Sequence, residues 1–523
     1  MSNIKKITKW ISLITILSLI ILTAVFHFTQ ILSLPSGVHI CKTSPISENE
    51  IRLLLDTTAF NPKTNKRVIH QENFKEILFL IKRAKDFIYL DFFLWNNFQG
   101  STSEDYRKVS LKLATALINK KKTHPKIKIL VLTDPINRIY GKMEPQFFHH
   151  LVDAGIVVVF TDLSYLVDSH LIYSIPGQII NEYLSKVPLL KRLLEKPIFP
   201  NLINQDSSKI SLKQLSQILF FKANHRKLII ANTLDNQWKM IVTSFNPSDS
   251  SSAHSNCGLL VSGKIVKIAL SAELAGIEWS AKNPKNILNN KQGEVNKLLF
   301  YLRNYIERES FKQKTFQQKR KTTVTWLTEG AIKDRLLEML DKTKKKDEVR
   351  IAMFYLSDRR VIQGIKKAVL RGANVRIILD ANRDAFGHTK NGIPNRPVAA
   401  ELIRLKKIGK TNISIRWADT RGEQFHHKAI CIVNLITQKY QFMCGSANWT
   451  RRNIADLNLE ANLLVEGAPE VSKRFIEYFD RAWNNKDGLN YTVDYNTVAE
   501  KGWNLWWKTF IYYLQEKTGT STF

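Results

Sequence analysis

Residues 127–138, IKILVLTDPINR, and residues 374–384, NVRIILDANRD, are one structural phrase written twice. In each, a run of β-branched and aliphatic residues ends on an aspartate, Asp134 or Asp380, and passes into a polar turn. That is the pattern of a buried strand running to the edge of a sheet. Working outward, the neighbours also repeat. A strand over 86–95 (DFIYLDFFLW) and a helix over 109–119 precede the first phrase, and a helix over 147–153 and a strand over 156–160 follow it. The order returns as strand 349–356, helix 361–371, strand 375–379, helix 397–407 and strand 413–417. Alternation of this kind gives βαβαβ and a sheet with parallel neighbours. Its recurrence marks an internal duplication.

A chain of 523 residues has room for two such units, and its 44% hydrophobic and 10% aromatic content can bury real cores. Five segments follow: 1–45, a short tip and an apolar anchor; 46–290, the first lobe, with an insertion over 164–220; 291–325, a basic helical linker; 326–485, the second lobe; and 486–523, an aromatic tail. From Trp10 to Cys41 there is no Lys, Arg, Asp or Glu, and the apolar run is long enough for one transmembrane helix. Lys5, Lys6 and Lys9 precede it, so the positive-inside rule keeps the N-terminus cytoplasmic and puts the body on the extracytoplasmic side. A cleaved secretory signal is the alternative. The formal charge of +32, from 78 Lys and Arg against 46 Asp and Glu, calls for anionic partners: a phospholipid membrane, an anionic lipid or other phosphodiester substrate, or nucleic acid. Four cysteines without metal-type spacing give neither a metal site nor a disulfide scaffold.

After its βαβαβ portion each unit enters a strand bearing His-x-Lys, NHRKLIIAN at 224–232 and FHHKAICIV at 425–433. A period of two puts His225 and Lys227 on one face, likewise His426 and Lys428, and turns His427 the other way. Sixteen or so residues beyond each lysine lies a turn with a hydroxyl and an amide, Ser244 and Asn246 in one copy, Ser446 and Asn448 in the other. Cleaving a phosphodiester without a metal needs a nucleophile, an acid for the leaving alkoxide and fixed positive charge on the non-bridging oxygens. Two imidazoles serve the first two needs; the two lysines, with Asn246, Asn448, Ser244 and Ser446, are expected to hold the phosphate. One active site shared by two lobes, with no metal and no cofactor, is the expectation.

These residues resemble the phospholipase D superfamily, within it the bacterial two-motif proteins related to cardiolipin synthases. The resemblance spans residues 50–485 and is closer in the second copy, with GSANW at 445–449 and NLE at 458–460. It implies an α/β fold of two α/β/α lobes packed pseudo-symmetrically behind the transmembrane helix. It also implies a phosphohistidine intermediate, with His225 as nucleophile and His426 as general acid and base, and phospholipid hydrolysis or phosphatidyl transfer as the reaction. A metal-independent nuclease and a catalytically impaired membrane-binding member are the alternatives. The chain departs from the motif at Asn232 and Val433, where the family has Asp five residues after the lysine. The carboxylate that orients a catalytic histidine is matched by Glu460, and its first-copy counterpart is read as Gly258. Arg383, Asp384, His388, Lys390 and Arg396, in a loop at a strand end, are candidates for a headgroup pocket. The tail aromatics Trp503, Trp506, Trp507, Phe510 and Tyr513 suit either a lipid interface or a docked terminal helix.

Overall fold

The computed structural model describes residues 10–15, 17–18, 21, 34–98, 106–141, 145–168, 177, 180, 184–201, 209–310, 322–382, 384–385, 388–407, 409, 411–434 and 436–520. Most of the anchor segment, much of the insertion and the end of the linker lie outside them. Among the described residues no helix is long and apolar enough to cross a membrane.

The duplication is visible strand by strand. In the first lobe β2 (Ile51–Leu55), β3 (Ala84–Phe92), β4 (Lys128–Thr133), β5 (Val157–Phe160), β6 (Lys227–Thr233), β7 (Trp238–Thr243) and β8 (Cys257–Ser262) lie in the order β2-β8-β7-β6-β3-β4-β5. The second lobe has β9 (Thr323–Thr328), β10 (Glu348–Met353), β11 (Asn374–Leu379), β12 (Ile413–Ala418), β13 (Lys428–Asn434), β14 (Lys439–Gly445) and β15 (Ala461–Glu466). Their order, β9-β15-β14-β13-β10-β11-β12, is the same. In both, three parallel strands carry the alternating part and the His-x-Lys strand runs antiparallel beside the first of them. The second sheet is longer by one strand at each edge, β1 (Cys41–Pro45) against β9 and β16 (Thr492–Asp494) against β12. Residues 41–45, expected to close the anchor segment, thus belong to the far lobe's sheet.

Helices repeat in step. α1 (Asn73–Arg83), α2 (Val109–Thr123), α3 (Gln146–Asp153) and α4 (Lys264–Ala281) accompany the first sheet, and α5 (Gln292–Ser310) leads away from it. α6 (Gly330–Asp341), α7 (Arg359–Leu370), α8 (Asn395–Ile403) and α9 (Pro469–Trp483) accompany the second, before α10 (Gly502–Thr518). α7 shows how the sequence sets such a helix. Asp358 caps it by accepting from the Arg360 and Val361 N–H groups, and Val361, Ile362, Ile365, Ala368 and Val369 form its buried stripe.

Each lobe has its own apolar layer on one side of its sheet, while the opposite faces of both sheets share a third core. Leu228, Ile230, Met240 and Val242 belong to it from one side, and Ala429, Phe442, Leu463 and Val465 from the other. Sharing that core presses the two His-x-Lys strands toward one interface. Fully buried at the same interface, Arg226 pairs with Glu273 at 2.9 Å and Glu329 at 2.6 Å and donates to the Gly37 carbonyl at 3.1 Å. Removing one member of such a group leaves uncompensated buried charge, at a cost of about 3–5 kcal/mol. Arg226→Met is therefore expected to lower the urea midpoint by an amount equivalent to that range, read by circular dichroism; an unchanged midpoint would show that the cluster contributes nothing net.

Candidate active site

The two His-x-Lys segments reach the interface by matching routes. Asp134, at the end of β4, accepts the Asn224 N–H at 2.7 Å, and Asp380, at the end of β11, accepts the Phe425 N–H at 2.7 Å. Burial pushes these carboxyls up, to about 7 for Asp134 and about 6 for Asp380, against the backbone hydrogen bonds they accept. Each approach segment then pairs with the other lobe. The His225 N–H donates to the Leu459 carbonyl at 2.9 Å, and the Ser255 N–H to the Gln424 carbonyl at 3.2 Å.

As a result each imidazole is held by a residue of the opposite lobe. His225 Nδ1 lies 2.6 Å from Glu460 Oε1, and His426 Nδ1 lies 3.2 Å from Asn256 Oδ1. The Asn256 amide donates to Asp56 at 3.1 Å and to the His254 carbonyl at 3.0 Å, which fixes its oxygen toward His426. An amide oxygen only accepts, so His426 carries its proton on Nδ1 and presents the bare Nε2. Glu460, accepting as well from Ser446 and Asn453, sets His225 the same way.

Here the structure corrects one sequence reading and assigns a partner. The residue equivalent to Glu460 is Asn256, not Gly258: Gly258 pairs with Thr243 as Asn462 pairs with Gly445, and so corresponds to Asn462. The carboxylate also serves the first His-x-Lys pair, and the second pair has the amide. A two-residue difference hid this, since Ser446 and Glu460 are 14 residues apart and Ser244 and Asn256 are 12.

The expected phosphate ligands divide. Ser244 donates to Asn256 at 3.2 Å, and Ser446 donates to Glu460, so both hydroxyls brace the residues that orient the histidines. Asn246 and Asn448 are buried nearby, the first accepting from the Leu94 N–H at 3.4 Å and the second with its oxygen unpartnered. Lys227 donates to the His225 carbonyl at 2.7 Å, and Lys428 to that of His426 at 3.2 Å. Each ammonium also sits over an aromatic ring, Lys227 4.9 Å from Phe93 and Lys428 5.0 Å from Phe354, and those rings flank His225 and His426.

All four side chains are buried. Burial lowers Lys227 to about 7 and holds Lys428 well below the ordinary lysine range, the latter helped by the Lys227 charge. Both histidines fall well below the usual imidazole value, first from burial and then from the lysine charges. Burial raises Glu460 to about 7, opposed by Lys227, Ser446, Asn453 and Lys428. This is a site short of negative charge, ready for an anion.

Sequence reasoning missed Asn256, the Phe93 and Phe354 walls, and His254. The His254 ring is 5.9 Å from that of His426, with Nε2 3.4 Å from Glu423. His427 faces away and meets the Tyr478 hydroxyl at 2.8 Å. Asn232 receives the Asp86 and Phe87 N–H groups, and Val433 pairs with Glu348; five residues of strand put both about 16 Å from the lysines. In the 380–402 loop, Lys390 meets the Tyr355 hydroxyl and Arg396 pairs with Glu500. Arg383 and the side chains of Asp384 and His388 lie outside the described residues.

Residues 336–483, within the second lobe, match the family model described as cardiolipin synthase, PLD-like domain. The crystal structure of phosphatidylserine synthase from Haemophilus influenzae Rd KW20 is similar across 95% of this chain and 98% of that one, with a TM-score of 0.51 at 10% identity. That likeness is one of fold. A phospholipase D family member, Nuc from Salmonella typhimurium, aligns over 33% of this chain and 98% of its own, with a TM-score of 0.25 at 19% identity. No curated protein matches the sequence.

An Asn256→Asp variant gives His426 a carboxylate partner, which favours the imidazolium. Its His426 signal, followed by NMR of ring-labelled histidine, is expected to titrate at higher pH than in the wild type. An unmoved signal would mean that residue 256 does not govern that ring.

Proposed function

We propose that this chain is a phospholipase D-type phosphodiesterase that acts on phospholipids, by hydrolysis or phosphatidyl transfer. One observation carries the reading: two imidazoles from two lobes, each held at Nδ1 by the opposite lobe, share an interface with two buried lysines. The match of the second lobe to a cardiolipin synthase domain supports a lipid phosphodiester as substrate. The apolar N-terminal run supports an anchored protein with its body on the extracytoplasmic side.

In the first step the bare Nε2 of His225 attacks phosphorus. The bond to the headgroup oxygen breaks as His426, having first taken up a proton from solvent at Nε2, passes that proton to the leaving oxygen, and a phosphohistidine forms. Glu460 stabilises the positive charge that develops on the substituted imidazole, a role an amide cannot fill. This asymmetry supports His225 as nucleophile. In the second step His426 takes a proton from water or an alcohol, whose oxygen attacks phosphorus and releases His225. Lys227, Lys428, Asn246 and Asn448 hold the non-bridging oxygens throughout.

Asn256 favours a second reading, a slow or silent member of the family, since the acid lacks the carboxylate that would keep it protonated. A covalent phosphoryl adduct trapped at His225 would exclude it.

With labelled phosphatidylglycerol, wild-type protein is expected to release phosphatidic acid or a transfer product. His225→Ala and His426→Ala should each lose roughly a hundredfold to ten-thousandfold of that rate. No turnover of any phospholipid, together with cleavage of single-stranded DNA or RNA in EDTA, would replace this reading by a nuclease. The profile of kcat/KM against pH carries a second expectation. Lys227 is charged below its lowered value of about 7 and neutral above it, so kcat/KM should fall as pH rises through that region. A profile flat to alkaline pH would remove Lys227 from the phosphate clamp.

A further inference from the structure

The last helix, α10, has one face in the protein and one face of aromatic rings in solvent. Its inner side is tied down firmly. Tyr512, 1% exposed, donates to the Ser357 carbonyl at 2.7 Å, and beyond the helix end the Gly519 carbonyl accepts from Arg452 at 2.8 Å. The outer side carries Trp503 at 72% exposure, Trp506 at 54%, Trp507 at 48% and Phe510 at 49%. Those rings stack on one another, Trp503 on Trp506 at 4.6 Å and Trp506 on Phe510 at 6.0 Å. A ladder of this size left in water on a well-anchored helix is a binding surface.

We propose that this face seats the enzyme on a phospholipid bilayer, with the rings at headgroup depth. Four features favour lipid over a protein partner. Trp and Tyr, with an apolar body and a polar edge, belong at the membrane interface. Lys501 and Lys517, both exposed, bracket the helix and the chain as a whole carries +32, which suits an anionic surface. The apolar run over residues 11–26 suits a membrane segment in the same chain.

Position is the fourth feature. α10 is fastened to the rim of the active site: Ser357 follows the strand end that supplies Phe354, Arg396 in the first turn of α8 shares Glu500 with Lys508 of α10, and Arg452 lies six residues beyond Ser446. Arg452 also lies over the Phe221 ring at 4.5 Å, four residues before His225. A bilayer meeting the aromatic face therefore lies on the side of the second lobe whose residues lead back to the buried His-x-Lys pairs. The inference rests on the phospholipid reading above for its purpose, but its binding test is independent of turnover.

The test uses the full chain reconstituted in phosphatidylglycerol and phosphatidylcholine vesicles containing lipids brominated at shallow or deep acyl positions. Wild type is compared with Trp503→Ala/Trp506→Ala/Trp507→Ala, whose removed rings contact chiefly one another; an unchanged melting temperature verifies the fold. Shallow bromines should quench a component of tryptophan fluorescence that the triple variant lacks. The variant should also lose at least tenfold of its turnover of vesicle phospholipid while keeping its turnover of a short-chain phospholipid dispersed as monomers. Equal loss of quenched intensity in both proteins overturns the proposal. So does a halved molar mass of the variant in detergent with lipid quenching unaltered, which would assign the face to a second copy of the chain. If wild type turns over neither substrate but shows the shallow component, the catalytic reading fails and the docking surface stands.

Discussion

The hydrogen bond between His225 and Glu460 is the contact on which the rest of the molecule turns. Glu460 is fully buried, and its oxygens are met by His225, Ser446 and Asn453 while its backbone N–H donates to Glu329 at 2.9 Å. A buried carboxylate is tolerable only when its lone pairs are met by donors. One of those donors is in the other lobe, so neither half can complete its own polar interior. That constraint explains why two units with separate apolar layers also share a core, and why the approach segments cross-pair at Asn224 with Leu459 and Ser255 with Phe425. Shape brings the lobes together, and unmet hydrogen bonds specify how.

Within that near-symmetric frame the chemistry is unequal. The two lysines, two phenylalanines and two strand-end aspartates match in place and contact. The orienting residues do not, one being a carboxylate and the other an amide. A repeat offers two equivalent histidines, and in the mechanism proposed above the difference at positions 256 and 460 is what separates their tasks. The carboxylate suits a ring that must become cationic by bonding to phosphorus. The amide suits a ring that must readily give its proton away, and it leaves that ring harder to recharge.

Much of this was legible in the sequence because local rules govern it. The strands around 127–138 and 374–384 announce themselves by aliphatic runs ending in aspartate, and period two puts each histidine beside its lysine. What was hidden depends on the opposite lobe. Nothing within NLE says that Glu460 turns toward His225, and counting along the chain from Ser244 lands on Gly258 because the second lobe's turn is two residues longer. His254 and Glu423 are 169 positions apart and meet only through the interface. The aromatic tail reads as either docked or lipid-facing; the helix has one buried face and one exposed face, which one-sided periodicity could not separate.

The N-terminal strap ties these parts in another way. The Gly37 carbonyl accepts from Arg226, the His39 N–H donates to Glu329 at 2.9 Å, and β1 then closes the edge of the second sheet. Glu329, held at φ 44°, is the residue that reaches both Arg226 and the Glu460 backbone. The ten residues that follow the apolar run are thus a tether with a mechanical address. A protease cut that removed them would take away one strand of the second sheet and two supports of the buried charges behind His225.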